Sequence, residues 1–223
     1  WGGVAAREAS RRLAIPYVIT EHSTGYAQGM IQPWHHSYLR AVFGDARRVI
    51  AVSTGMMRRI EPFLGGRPVD IIPNSVDTAF FTLPPQPRER TPFRFVTVAF
   101  LKPKKGIDVL LRAFARAFEG RDDVILEIGG DGPQRQELES LADALGLREK
   151  VQFLGLLNRH QVREALWRAN AFVLPSRFET FGVVLIEAMA TGLPVVATRC
   201  GGPEDFVHPE VGVIVEPEDV EAL

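Results

Sequence analysis

From residue 93 onward, two hydrophobic periods alternate along the chain. FRFVTVAF (93–100) is rich in β-branched and aromatic residues and reads as a strand. Ile107, Leu110, Leu111, Phe114 and Phe118 then recur at helical spacing as one apolar stripe. VILEI (124–128) is a short buried-type strand. Pro133 suits a first helical position, and Leu138, Leu141, Ala142 and Leu145 share one face ahead of Gly146. VQFLG, HQVREALWRA and AFVLP repeat the cycle. GVVLIEAMAT predicts a further helix, buried nearly all round and stopped by Gly192 and Pro194, before the strand VVAT (195–198). Short β-runs separated by helices of this length predict βαβ units, hence a parallel sheet covered on both faces.

The first 77 residues follow the same grammar, with strands predicted at PYVIT (16–20), RVIAV (48–52) and VDII (69–72). TAFFTLPPQPRERTP (78–92) carries four prolines, mixed charge and no periodicity, and reads as a linker between two α/β domains at 1–77 and 93–223. The chain opens on WGGVAAREAS, without a Met and inside a predicted helix, and closes on PEDVEAL at what reads as the start of another. Both ends have the character of a fragment's, with the first domain incomplete and the second truncated.

Composition narrows the function classes. Of 223 residues 46% are hydrophobic and 24% charged, as in an ordinary globular protein. A net charge of −1 gives no reason to expect a nucleic-acid partner. The four lysines are unevenly placed: Lys102, Lys104 and Lys105 cluster, and Lys150 stands alone. Such a local basic cluster on a neutral chain suits a small anion better than a polymer. Cys200 is the single cysteine, so no internal disulfide can form and a reducing, cytoplasmic setting is the default expectation. No apolar run approaches the roughly 20 residues of a membrane span.

In open parallel sheets, ligands sit where strands end and loops lead into helix N-termini. Three such loops carry pointed chemistry. FLKPKKG (100–106) sets lysines before a helix start, where free N–H groups already favour anions. A solvated basic turn explains this stretch equally well. GGDGP (129–133) lets backbone approach a ligand, although turn chemistry alone accounts for it, and neither a phosphate-loop lysine nor a full dinucleotide fingerprint follows. FETFGVVLIEA (178–188) places Glu179 just before a helix N-terminus that Gly182 begins. Complementing the helix dipole would be reason enough for that carboxylate.

Glu187 is harder to explain by structure alone. It lies within an apolar helix, where a carboxylate needs donors, from sugar hydroxyls or from a structural Arg or N–H. His22, at the end of PYVIT in TEHS, faces the same type of crevice from the first domain. His35 and His36 are adjacent, which is poor spacing for a metal site, and no carboxylate pair is set out as metal ligands. There is no G-x-S-x-G elbow, and Cys200 has no evident His partner.

Together these residues resemble the retaining nucleotide-sugar glycosyltransferases of family 4. The resemblance rests on the Glu-x7-Glu pair with Phe-Gly after the first Glu, then EAMATGLPVVAT and GGPEDFV. TEH, AVS, IIPNSVD, LKPKKGIDVLLRAF, GGDGP and VQFLG precede these in the same order, so it spans essentially the whole chain. It implies the GT-B arrangement of two Rossmann-like domains with parallel sheets, an acceptor-side domain at 1–77 and a donor-binding domain at 93–223. It further implies a donor such as a UDP- or GDP-sugar, a saccharide or lipid-linked acceptor, and no bound metal or other cofactor. Catalytic roles would fall to Glu179 at the transferred sugar, Lys105 at the diphosphate and His22 from the acceptor side. Glu187 would hold the ribose, and Thr180, Phe181 and Gly182 would present the helix start to phosphate. Gly132 would lie near the nucleotide, Lys102 near the diphosphate, and Leu154 near the base.

One departure is that Phe100 stands where the family usually has an Arg ahead of the diphosphate lysine, so that Lys102 or Arg177 would have to supply the second charge. Ser75 in IIPNSVD replaces a usual Gly, a tolerable change. Such enzymes often build bacterial cell-surface polysaccharides or glycolipids, so a cytoplasmic protein, peripheral to the inner face of the membrane, is the expectation. A sugar-nucleotide epimerase, a phosphorylase and a non-catalytic nucleotide-sugar-binding module are the competing readings.

Overall fold

The computed structural model describes residues 2–223. Contacts divide the chain into two compact units. One comprises residues 1–74 with Phe178–Phe181, and the other Ser75–Arg177 with Gly182–Leu223.

The first unit runs α1 (Gly2–Leu13), β1 (Val18–Glu21), α2 (His36–Asp45), β2 (Arg48–Ala51), α3 (Thr54–Ile60) and β3 (Asp70–Ile71). The strands pair in parallel in the order β1-β2-β3. Period-two alternation buries Val49 and Ala51 of β2 while Arg48 stays exposed. Ser53 begins α3, its hydroxyl accepting from the Met56 N–H at 2.9 Å. Met56 and Ile60, one helical turn apart, are both buried.

The second unit runs β4 (Phe93–Val98), α4 (Ile107–Ala117), β5 (Val124–Gly129), α5 (Arg135–Ala144), β6 (Val151–Gly155), α6 (Arg159–Arg168), β7 (Ala171–Leu174), α7 (Val183–Ala190), β8 (Val195–Thr198) and β9 (Gly212–Val215). All its strands are parallel, in the order β6-β5-β4-β7-β8-β9. This is the doubly wound order, with its switch point between β4 and β7. Each face of the sheet has its own core. Phe172 and Leu174 pack with Leu166, Leu185 and Ala188 on one side. Val173 packs with Leu111, Phe114 and Leu138 on the other. Successive residues of β7 thus serve opposite layers, as a sheet buried on both faces requires. Glu127, 2% exposed in β5, is tolerated because two guanidinium groups reach it, Arg168 at 2.9 Å and Arg94 at 3.3 Å.

Four local expectations change. Pro133 is not the first residue of α5: it occupies a turn that the Arg135 N–H closes onto the Gly132 carbonyl at 3.0 Å, and the helix starts at Arg135. Helix α7 is not buried all round. Leu185 and Ala188 are closed off, Val183 is 42% exposed, and Glu187 stands half-buried on its flank. PEDVEAL forms turns rather than a helix, the Asp219 carboxylate accepting from the N–H groups of Glu221 and Ala222. Strand β9 was not foreseen.

The irregular residues 78–92 lie along the second unit. Phe81 is 2% exposed within its core, and the Thr82 carbonyl accepts from the Trp167 indole at 2.7 Å. The Glu89 carbonyl likewise accepts from the Asn170 amide at 2.7 Å.

Candidate donor-binding site

The two central strands of the second unit end side by side. After β4 the chain makes a short 3₁₀ turn, Pro103–Lys105, which the Lys105 N–H closes onto the Lys102 carbonyl at 2.9 Å. Gly106 follows in the left-handed conformation, φ 63°, and starts α4. A Cβ at this position would run into the Pro175 carbonyl, so the turn bearing the lysines lies directly against the exit of β7. The Arg177 N–H completes the join by donating to the Lys104 carbonyl at 2.8 Å.

The loop after β5 is interlocked with the same turn. Leu101 donates to the Asp131 carbonyl at 2.9 Å, and a Cβ on Gly132 would come within 2.5 Å of the Leu101 carbonyl oxygen. Glycine at 132 is therefore required by backbone packing, whatever it does for a ligand.

Lys102 is exposed and Lys105 half-buried. The Lys102 ammonium lies over the exposed Phe100 ring, 4.9 Å from its centroid. Arg177, the other candidate for the second charge, is already engaged. Its guanidinium holds the Asp108 carboxylate in two hydrogen bonds of 2.9 and 2.8 Å, pairs with Glu218, and donates to the Pro103 carbonyl. Of the two, only Lys102 carries no ion pair with a described residue that would compete with a ligand for its charge.

Glu179, Thr180 and Phe181 belong to the four-residue link between Arg177 and Gly182; Glu179 and Thr180 are half-buried and Phe181 is 4% exposed. Gly182, at φ 94°, caps the start of α7. Glu187 lies in the second turn of that helix, and its carboxylate makes no hydrogen bond to any described residue. Burial pushes its pKa up, and the positive charge of Arg159 offsets part of that shift. Arg159 is the first residue of α6. It pairs with Asp77 at 3.0 Å and stacks over Phe80 at 4.1 Å from the ring centroid. Sequence reasoning passed over Arg159; the one signal available was its place after Asn158, whose side chain caps α6. At the end of β6, Leu154 is half-buried against the core, whereas Leu156 is 80% exposed.

His22 belongs to the first unit. It is exposed, immediately after β1, in a loop held by Glu21, whose carboxylate accepts from the His22 and Ser23 N–H groups at 3.0 and 2.8 Å and from the Tyr26 hydroxyl at 3.2 Å. Burial, followed by the Glu21 charge and hydrogen bond, raises the Tyr26 pKa far above its ordinary value. A cavity of about 620 Å³ beside this loop is lined by Glu21, Tyr26, Met30, Trp34 and Tyr38, but not by His22. Among the described residues no cluster of His, Cys, Asp or Glu side chains could hold a metal ion, and no helix is long and apolar enough to cross a membrane.

Comparison with known proteins places these features in context. The family described as glycosyl transferases group 1 matches residues 81–223, and glycosyltransferase family 4 matches residues 1–80. The chain is similar to the phosphatidylinositol N-acetylglucosaminyltransferase gpi3 subunit of Schizosaccharomyces pombe, at 29% identity over 94% of this chain and 46% of that protein. It is also similar to a GDP-mannose-dependent alpha-(1-6)-phosphatidylinositol monomannoside mannosyltransferase of Mycolicibacterium smegmatis, at 31% identity over all of this chain and 61% of that protein. Among solved structures, Anabaena Alr3699/HepE in complex with UDP-glucose superposes with a TM-score of 0.81 at 25% identity, over 99% of this chain and 64% of that one. The chain thus spans about half to two thirds of the length of these relatives.

Proposed function

Because the chain belongs to the glycosyl transferases group 1 family, we propose that its protein transfers a sugar from a nucleoside-diphosphate sugar to an acceptor hydroxyl, with retention of anomeric configuration. In this reaction the bond from the anomeric carbon to the diphosphate oxygen breaks, a bond to the acceptor oxygen forms, and the acceptor's proton leaves with the diphosphate. Negative charge therefore grows on the diphosphate as the bond breaks. Preorganised cations and N–H groups aimed at that charge lower the barrier. The observation that carries the reading is the lysine turn joined backbone to backbone to the exit of β7, at the switch point of the sheet.

In this reading Lys105 and Lys102 take the diphosphate, together with the N–H groups of Phe181 and Gly182 at the start of α7. Glu187 accepts from the ribose hydroxyls, which supply the donors its carboxylate lacks. Thr180 and Glu179 contact the phosphate and the transferred sugar, Gly132 lets the nucleotide approach the backbone, and the end of β6 near Leu154 receives the base. His22 acts from the acceptor side. The donor is a UDP- or GDP-sugar: one similar structure holds UDP-glucose and one similar enzyme is named for GDP-mannose. A lipid-linked acceptor is favoured by the two relatives named for phosphatidylinositol substrates; a cytoplasmic protein at the inner face of the membrane is the setting this proposal assumes.

The test is a panel of UDP- and GDP-sugars on the full-length protein, with the product's anomeric configuration read by NMR. Retained configuration with one donor supports the proposal. An inverted product, or donor binding with no transfer to any acceptor, overturns it.

A further inference from the structure

Arg177 joins three separate pieces of the second unit. Its backbone N–H holds the Lys104 carbonyl at 2.8 Å, and its guanidinium donates to the Pro103 carbonyl, so main chain and side chain both grip the lysine turn. The same guanidinium takes Asp108, in the first turn of α4, in a two-pronged pair of 2.9 and 2.8 Å. Glu218, far along the chain, closes the remaining side.

Two further observations show that this arrangement is built. Glu218 has φ 67°, a left-handed conformation that a residue with a side chain adopts only at a cost, and strain of this kind persists where the surroundings impose it. Asp108 would be raised by burial alone, yet its hydrogen bonds with Arg177, and that charge, hold its carboxyl below the ordinary value. Glu218 and Asp108, two carboxylates against one guanidinium, more than offset its charge, which leaves Arg177 no net positive charge to offer a ligand.

We propose that Arg177 is a positioning residue: it fixes the Pro103–Lys105 turn so that the Lys105 ammonium meets the donor's diphosphate, without touching the donor itself. The guanidinium directs five N–H donors in a fixed fork at a carbonyl and two carboxylates, whereas an ammonium has three donors and no fork, so lysine does not replace it. The proposal rests on the donor-site reading above.

The experiment compares binding of UDP and GDP with binding of uridine and guanosine to the full-length protein, by NMR titration. The variants are R177M, R177K, E218Q, K105A and the double variant R177M/K105A. R177M and R177K are expected to weaken diphosphate binding about tenfold to a hundredfold, the scale of a small misplacement of a reacting group, while nucleoside binding stays unchanged. E218Q, whose side chain is largely exposed, shows a smaller loss with the same selectivity and covers the case in which R177M does not fold. In the K105A background R177M adds no further loss, because the group it positions is gone. Losses that add across the two sites would mean that Arg177 contacts the diphosphate directly, and equal losses for nucleoside and diphosphate would mean general disturbance; either overturns the proposal. If the unaltered protein binds neither UDP nor GDP, the donor-site reading falls and takes this inference with it.

Discussion

On the proposed reading of Glu187 as the ribose contact, nucleotide binding depends on pH in a calculable way. In the free protein its carboxylate is half-buried, receives no hydrogen bond from the described residues, and has a pKa raised above 4.5 by burial against the opposing pull of Arg159. Ribose hydroxyls donating to it favour the charged form and lower that value in the complex. The free-state value is the higher one, so affinity is full above it. As pH falls below the free-state value, binding weakens until the bound-state value is reached. One proton is involved, so Kd rises by up to about tenfold per pH unit inside that window. At neutral pH, hydrogen bonds to a charged carboxylate contribute about 1.5–3 kcal/mol, so Glu187→Ala raises Kd by roughly 10- to 150-fold. The assay is calorimetric or NMR titration with uridine or guanosine from about pH 8 down to about pH 4.5, bracketing the ordinary carboxylate range from above. The nucleoside is used because its lack of phosphates removes their own titration. Glu187→Gln keeps the shape and removes the charge, so its affinity should be lower and nearly independent of pH. Parallel pH profiles for the two proteins would refute the role given to Glu187.

Lys105→Ala should reduce turnover about 100-fold or more, the scale of losing one preorganised donor to developing charge; steady-state kinetics close to the unaltered rate would remove it from the site. Gly132→Ala should lower both stability and nucleotide affinity, because its methyl group meets the Leu101 backbone at 2.5 Å; an unchanged melting temperature would show that the two loops separate freely. Phe81→Ala should destabilise the protein by about 3–5 kcal/mol in chemical denaturation, since the ring is 2% exposed in the core; a loss below about 1 kcal/mol would mean that the neighbouring residues close the space it leaves.

Local periodicity made most of the architecture readable. The strands 93–98, 124–129 and 195–198 announce themselves by β-branched runs, 151–155 by a short apolar run ending in Gly, and α4 by its stripe of Ile107, Leu110, Leu111 and Phe114. The same reasoning placed Lys105, Gly132 and Gly182 on strand-to-helix connections, where they are found. Contacts between residues far apart in sequence were not readable. Nothing near Arg177 signals that Asp108 and Glu218 will converge on it, and nothing in VILEI signals that Glu127 will meet Arg94 and Arg168. Pro133 stands two residues ahead of the helix start, in a turn held against Leu101 by the Gln134 N–H, a contact that its own sequence neighbourhood does not announce. GVIV was passed over as a strand although it is as short and as β-branched as VVAT; it stands between the turn formers of HPEV and EPED rather than after a helical stripe.

The order β6-β5-β4-β7-β8-β9 also divides the molecule's scope for change. The residues proposed to meet the diphosphate leave from β4 and β7, adjacent strands whose exits are tied to each other, so a mutation that shifts one drags the other. The ends of β5 and β6, where Gly132 and Leu154 stand, lie outward from that pair. On the proposed reading, substitutions beyond β6, at the open Leu156 for instance, retune which base is accepted while leaving the β4–β7 join in register. A lineage built on this sheet can therefore alter its choice of donor gradually, whereas the handling of the leaving group must be inherited whole.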